Sequence, residues 1–178
     1  MTTSPTRSSR PSPPPSGLRV LGIDPGLLDT GWALIEPAPA GVAVLGTGVI
    51  VTGRDAPLEE RVLVIYEGVS ELLARHAPAH LVLEDLYAEY KFPRTALLMA
   101  HARGVVCLAA RQHGVEVRAL APAEVKRAIT ANGAASKEQV QESVRRILRL
   151  EALPRPSHVA DALALALTGY LRLGGPMR

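Results

Sequence analysis

Residues 20–26, VLGIDPG, combine a short apolar run with an aspartate and a Pro-Gly turn. An apolar run of this length that ends at turn residues is typical of a buried β-strand. Residues 31–36, GWALIE, and 41–51, GVAVLGTGVIV, follow after short connections and have the composition of two more strands. Three strands joined by short turns predict an antiparallel meander, with Asp24 at the end of its first strand.

The rest of the chain alternates helices with two further strands. Residues 57–76 carry apolar side chains at helical spacing and predict a helix that crosses one face of the sheet. The next strand, HLVLED at 80–85, must then run parallel to the first. Ser136 with Gln139 predicts a capping box for one later helix, and Ser157 is expected to cap the last. A loop is predicted at 87–92, a long helix at 93–112 and a fifth strand at 115–120. Three helices follow, at 121–130, 137–150 and 158–173.

This element order predicts an α/β fold with a five-stranded mixed sheet, three antiparallel strands followed by parallel ones, flanked by helices. The 178 residues are 47% hydrophobic and 21% charged, which suits one soluble globular domain and excludes a fibrous or wholly disordered chain. The single cysteine excludes an internal disulfide and a cysteine-based zinc site. Residues 1–17 are rich in Ser, Pro and Arg and predict a disordered tail, which leaves 18–174 as the folded domain. Without a long apolar stretch or a signal peptide, we expect a cytoplasmic protein with no membrane association.

Charge is unevenly distributed along the chain. Residues 18–90 contain four basic and eleven acidic residues, whereas residues 91–178 contain fourteen basic and six acidic ones. Such asymmetry is compatible with metal-binding carboxylates beside a surface for a polyanion. Taken alone, ordinary charge variation explains it more simply.

Three acids and a histidine form the candidate site. Asp24 and Glu84 end the first and fourth strands, and neighbouring parallel strands would bring them to one edge of the sheet. His158 and Asp161 are three residues apart at the start of the last helix and project from one face of it. Each residue also has a structural explanation, as a turn aspartate, a solvated strand end, a surface histidine and a first-turn acid respectively. Together they predict a site for hard divalent cations such as Mg²⁺ or Mn²⁺, and the chemistry of a two-metal nuclease.

The chain resembles the RuvC family of bacterial Holliday-junction resolvases over residues 18–172. The segments that carry the resemblance are LGIDPGLLDTGWALIE, LVLEDLY, ALLMAHARGVV, AEVKRAIT, SKEQVQ and RPSHVADALALAL. It implies an RNase H-like fold, a homodimer, and two Mg²⁺ or Mn²⁺ ions per active site. It also implies that the substrate is four-way junction DNA, cut in recombination and repair by symmetric paired nicks that leave 5′-phosphate and 3′-hydroxyl ends. The implied partners are the branch-migration proteins RuvA and RuvB.

Carried over by position, the resemblance assigns the catalytic and metal-binding roles to Asp24, Glu84, His158 and Asp161. At the position of His158, a number of relatives have aspartate and others have histidine. Because imidazole is a softer ligand than carboxylate, we expect Mn²⁺ to be favoured over Mg²⁺ more strongly here than in an all-carboxylate site.

The resemblance also implies residues that contact DNA. Lys126 and Lys137 match basic positions near the DNA backbone, and Tyr87 matches an aromatic position that stacks on bases. Tyr90 and Phe92 are weaker candidates for stacking. Several arginines extend the predicted phosphate-binding surface, or lie on solvated helix faces: Arg94, Arg103, Arg111, Arg118, Arg145, Arg146 and Arg149. The helix at 93–112 resembles the dimer-interface helix of the family, with core packing as the alternative.

Three other functions remain as alternatives. Sugar kinases and actin-like ATPases open with a similar hairpin, but they need two such domains around a nucleotide. A junction-binding module without catalysis would use the acids structurally. An RNase H-like family of ribosomal RNA processing shares IDPG, but HVADALALAL and the two-helix C-terminal half fit the resolvase better.

Overall fold

The structure, a computed structural model, describes residues 17–39, 41–85 and 93–175 of the chain. Strands and helices follow one another in the predicted order within these ranges. They are β1 (Val20–Asp24), β2 (Asp29–Ala38), β3 (Gly41–Val51), α1 (Leu58–His76), β4 (His80–Glu84), α2 (Pro93–Gln112), β5 (Glu116–Leu120), α3 (Pro122–Thr130), α4 (Lys137–Ile147) and α5 (Ser157–Arg172). None of these helices has both the length and the apolar composition that a membrane span requires.

The five strands form one mixed sheet in the order β3-β2-β1-β4-β5. β1 pairs antiparallel with β2, and β2 with β3, so the predicted meander is confirmed. β4 pairs parallel with both β1 and β5, as the crossover through α1 predicts. The carboxyl ends of β1 and β4 therefore lie side by side, with Asp24 and Glu84 at the same edge.

Both faces of the sheet are covered by aliphatic cores, and alternate residues of each central strand face opposite sides. Leu21 and Ile23 of β1 pack with buried side chains of α1 and α2. Val20, from the same strand, packs with buried side chains of α3, α4 and α5 on the other face. Because both faces of the central strands are buried, their sequences read as nearly continuous apolar runs.

Helix α5 lies directly on the central strands because two glycines leave room for its backbone. A Cβ atom added to Gly22 of β1 would lie 2.2 Å from the carbonyl oxygen of Ala162. A Cβ atom added to Gly31 of β2 would lie 2.3 Å from the carbonyl oxygen of His158. These close approaches hold the start of α5 against the end of β1, where Asp24 lies.

The helix caps were predicted with mixed success. The Ser136–Gln139 capping box is confirmed, with both reciprocal hydrogen bonds present at the start of α4. The predicted Ser157 cap is wrong. Pro156, with extended dihedral angles, occupies the cap position, so Ser157 is already the first helical residue and makes no side-chain capping bond.

Candidate metal centre

Two elements bring a carboxylate pair and an imidazole together. Asp24 ends β1, and His158 and Asp161 lie on the first turns of α5. One ligand atom from each residue can be chosen so that all three atoms lie within 4.8 Å of one another. The prediction that His158 and Asp161 share one helix face is confirmed, because only residues three or four apart on a helix meet in this way.

Glu84 lies in the wall of the same cavity, which has a volume of about 440 Å³. It is not one of the three clustered residues, but the charges of Asp24 and Asp161 affect its pKa. Burial raises the pKa of Glu84 to about 7, and repulsion from Asp24 and Asp161 adds to this effect. The charged form of Glu84 is therefore disfavoured in the metal-free cavity.

Two basic side chains pair with the clustered carboxylates. Lys137 Nζ donates a hydrogen bond to Asp161 Oδ2 at 2.7 Å. His158 Nδ1 lies 2.7 Å from Asp24 Oδ2, and this hydrogen bond raises the pKa of the imidazole, so that Nδ1–H is the donor. Burial raises the pKa of Asp161, although the Lys137 ammonium opposes this shift. Without a metal, the Lys137 ammonium and the hydrogen bond from His158 partly offset the charge of the carboxylates.

This donor set fits divalent cations. Carboxylate oxygens from Asp24, Glu84 and Asp161 are the ligands that Mg²⁺ and Mn²⁺ prefer, and an imidazole nitrogen is an accepted ligand for Mn²⁺. A bound cation would also offset the burial and the repulsion from the other acids that raise the pKa of Glu84. The side chains are also partly solvent-accessible, with Asp24 16% and Asp161 27% exposed. Cations can therefore reach them from the cavity.

The other predicted site residues are distributed as follows. Lys126 and Lys137 both line the cavity. Tyr87 lies outside the described residues, as do Tyr90 and Phe92. Arg94 lies in α2, but its side chain is outside the described part of the structure.

Two contacts at the site were missed by the sequence analysis. The ion pair between Lys137 and Asp161 joins residues 24 positions apart on different helices, so no spacing in the sequence signals it. Arg103, predicted only as a phosphate-binding candidate, instead donates from Nε to the backbone oxygen of Glu84 at 3.3 Å. That contact depends on how α2 crosses the end of β4.

Comparison with known proteins identifies the family. The sequence model of the crossover junction endodeoxyribonuclease RuvC matches residues 20–169. The chain belongs to the RuvC family. A RuvC from Rhodopirellula baltica is 44% identical over 164 residues, which is 92% of this chain and 92% of that protein. A RuvC from Fusobacterium nucleatum is 34% identical over 160 residues, covering 90% of this chain and 84% of that protein.

A solved structure supports the same assignment. Thermus thermophilus RuvC in complex with a Holliday junction substrate superposes with a TM-score of 0.81 at 38% identity, covering 89% of this chain and 97% of that one. The predicted RNase H-like fold is confirmed by this match. Membership of the RuvC family also places the chain among metal-dependent nucleases that hydrolyse phosphodiester bonds, rather than among the nucleotide-binding ATPases.

Removal of the Glu84 charge is expected to stabilise the metal-free protein above pH 7. The folded-state pKa of about 7 lies above the ordinary value of 4.5. The stability that the protonated carboxyl confers is therefore fully present below pH 4.5 and is lost as the pH rises through 7. Glu84→Gln avoids this loss, and after allowance for solvent screening it gains roughly 1–2 kcal/mol at pH 8. For a domain of this size, this gain raises Tm by about 3–6 °C, measured by calorimetry in EDTA.

Two comparisons control this measurement. At pH 4.5 the native protein and Glu84→Gln should melt within about 1 °C of each other, because both side chains are then largely neutral. Glu67→Gln changes an exposed glutamate of α1 and should leave Tm nearly unchanged at both pH values. A Glu84→Gln variant that melts at or below the native temperature at pH 8 in EDTA contradicts the expectation.

Proposed function

We propose that this protein resolves four-way (Holliday) DNA junctions in homologous recombination and repair. In this proposal it cuts two strands of like polarity symmetrically and leaves 5′-phosphate and 3′-hydroxyl ends. The observation that carries the proposal is the convergence of Asp24, His158 and Asp161 within 4.8 Å, in a chain of the RuvC family. A junction-binding module without catalysis would not require three acids and an imidazole in one cavity, with Glu84 buried enough to raise its pKa to about 7.

The proposed metal ligands are Asp24, Glu84, His158 and Asp161. Two divalent cations bound there would supply an activated water for in-line attack on phosphorus and stabilisation of the leaving oxygen. Asp24 and Glu84 are fixed by the ends of β1 and β4, so their relative position is set by the sheet. His158 and Asp161 are fixed by the contact of α5 with the same strands. The ligands thus come from rigid elements, which favours a preorganised site.

Lys126 and Lys137 are proposed to contact the DNA backbone beside the cleaved phosphate. Both line the cavity that holds the carboxylates, Lys126 from α3 and Lys137 from α4. Lys137 is half-exposed, and a cation bound at the carboxylates would compete with its ammonium group for Asp161. We propose that Tyr87 stacks on a base at the junction and that Arg94 extends the phosphate-binding surface.

Cleavage of a labelled synthetic junction tests the proposed reaction. The native protein is incubated with a four-way junction or with a linear duplex of matching sequence, in Mg²⁺ or Mn²⁺. The proposal requires paired nicks in the junction, ligatable ends, and at least about tenfold slower cleavage of the duplex. Binding without cleavage in either metal, across several junction sequences, would favour the binding module instead.

A homodimer is proposed to use the outer surface of α1 and α2. One face of α2 is buried in the core through Ala102 and Val106, whereas its opposite face exposes Leu108, with 51% of its surface accessible. Leu108 borders a shallow groove of about 360 Å³ between the two helices, which Leu63 and Tyr66 also line. Exposed leucines around an apolar groove are typical of an interaction surface. The buried face of α2 suits a core helix, and its exposed face suits an interface helix, so both interpretations of α2 are compatible with the structure.

Leu108→Glu is expected to weaken dimerisation by roughly 30-fold or more, equivalent to about 2 kcal/mol, because the carboxylate would be buried at the interface. Light scattering after size-exclusion chromatography measures the effect. The matched control is Leu45→Glu, at an exposed leucine of β3. If Leu108→Glu and the control dimerise equally well, α2 is not the interface.

Mn²⁺ is proposed to be the better cofactor because His158 contributes an imidazole. The native protein should cleave faster in Mn²⁺ than in Mg²⁺ at equal concentration. His158→Asp should reduce the ratio of the Mn²⁺ rate to the Mg²⁺ rate by roughly tenfold, since carboxylates are harder ligands than imidazole. A metal titration that gives the native protein equal rates with both ions would refute the preference.

RuvA and RuvB are proposed as partners on the basis of family resemblance. Residues 18–174 are proposed to form the nuclease domain. Residues 1–16 lie outside the described structure. Pull-down of purified RuvA and RuvB with the full chain on junction DNA tests the partners. Junction cleavage by a chain lacking residues 1–17, compared with the full chain, tests the domain.

A further inference from the structure

The end of β4, which carries Glu84, is paired differently on its two sides. On the β5 side, the register continues to Glu84, opposite Leu120, and Asp85 N–H donates to the carbonyl oxygen of Leu120 at 2.9 Å. On the β1 side, the paired register ends one residue earlier, with Leu83 opposite Ile23. Glu84 therefore lies where one of the two ladders stops.

The sequence of β1 explains why the ladder stops there. In a trans peptide the C=O and the following N–H point in opposite directions. Since Asp85 N–H points to β5, the Glu84 carbonyl points towards β1. The register that pairs Val20 with His80 places Pro25 opposite Asp85, at the position from which a parallel ladder would donate to that carbonyl. Proline has no N–H, so the chain that continues from β1 offers no backbone donor at this point.

Arg103 of α2 supplies a donor instead. Its Nε–H donates to the Glu84 carbonyl oxygen at 3.3 Å, and Nη2 lies 3.4 Å from Asp85 Oδ1. The side chain is only 26% exposed. Its neighbour Ala102 is fully buried against the sheet, so the helix that carries Arg103 is held in place.

We propose that Arg103 is a positioning residue that fixes the backbone at Glu84 in place of the donor missing at Pro25. The inference rests on the proposed nuclease function. In this proposal Arg103 acts through its contact with the Glu84 backbone rather than by contacting substrate or metal, and it holds the carboxylate of Glu84 in register with Asp24. Its loss would let the last residue of β4 move while the rest of the sheet stays intact.

The first test compares Arg103→Met with Arg103→Lys. Single-turnover cleavage at saturating junction and metal should fall roughly 10- to 100-fold in Arg103→Met, because small displacements of a catalytic group have effects of this size. Junction affinity should stay within twofold and Tm within a few degrees of the native values. Arg103→Lys should recover part of the rate, because an ammonium group can also donate to the carbonyl. The control Arg75→Met removes a surface arginine from the far end of α1 and should cleave at the native rate.

The second test restores the missing backbone donor. Pro25→Ala introduces an N–H opposite the Glu84 carbonyl, so the loss caused by Arg103→Met should be smaller in the Pro25→Ala background than in the native one. Equal losses in both backgrounds, or an Arg103→Met variant that cleaves like Arg75→Met, overturn the proposal. A parallel fall in junction affinity overturns it too, because Arg103 would then act as a phosphate contact. If the native protein itself does not cleave junctions, the proposed function fails, which is a separate and recognisable result.

Discussion

Asp161→Asn is expected to reduce junction cleavage by roughly 1,000-fold or more, while junction affinity changes by less than about threefold. The substitution keeps the size of the side chain but removes a negative charge from the centre of the cluster with Asp24 and His158. Metal ions supply several kcal/mol of transition-state stabilisation, and about 4 kcal/mol corresponds to a 1,000-fold change in rate. Single-turnover cleavage in Mn²⁺ and a binding assay in Ca²⁺ or EDTA measure the two quantities separately.

The effect of Asp161→Asn should not come from unfolding. Burial raises the pKa of Asp161, which means that the charged form of this carboxyl is disfavoured in the metal-free protein. The asparagine oxygen can still accept the hydrogen bond from Lys137, and we expect Tm in EDTA to remain within a few degrees of the native value. Asp55→Asn, at an exposed aspartate after β3, is the matched control and should cleave normally. Residual cleavage within tenfold of the native rate would remove Asp161 from the metal site.

The sequence predicts the acids of the site better than it predicts their partners. Asp24 and Glu84 are recognisable because each ends an apolar run of the length typical of a buried strand, and parallel pairing brings strand ends together. Lys137 and Arg103 are not recognisable in this way. Their contacts, to Asp161 and to the Glu84 carbonyl, depend on where α4 and α2 cross the sheet. Periodicity specifies which face of a helix is buried but not its position along the sheet.

Local signals gave different results at the two helix starts for which the sequence predicted a cap. Ser136 and Gln139 form the predicted capping box because both partners lie within one turn of the chain. Ser157 fails as a cap because the preceding Pro156 takes the non-helical cap position. Proline at a helix start is more often the first helical residue than the cap residue. The sequence around Pro156 and Ser157 therefore does not show which residue is the cap.

The sequence also did not predict the role of the two glycines that let α5 pack closely on the sheet. Gly22 and Gly31 lie inside strands. Glycine is unfavourable there because it loses more backbone entropy on folding than other residues and has no side chain to pack. The structure explains them, because the backbone of α5 occupies the space of a side chain at both positions. The metal site thus depends on two residues that carry no functional group.

Gly31→Ala is expected to destabilise the protein by about 3 kcal/mol and to slow cleavage by roughly 100-fold. The new methyl group would lie 2.3 Å from the oxygen and 2.5 Å from the carbon of the His158 carbonyl. Backbone atoms cannot rotate away as a side chain can, so the start of α5 must move off β2. That movement would carry His158 away from Asp24, to which it is now hydrogen-bonded at 2.7 Å. The expected loss of Tm is about 6–12 °C, and cleavage is compared at a temperature where both proteins are folded.

Gly46→Ala provides the matched control for this prediction. Gly46 lies in the adjacent strand β3, and its added methyl group would meet only the ring of Trp32, at 3.2 Å. A side-chain ring can shift by a few tenths of an ångström, so this variant should lose less than about 1 kcal/mol and cleave at the native rate. If Gly31→Ala loses stability but keeps its cleavage rate, the site tolerates displacement of α5. Its ligands would then be positioned by the bound metals rather than by the contact between α5 and the sheet.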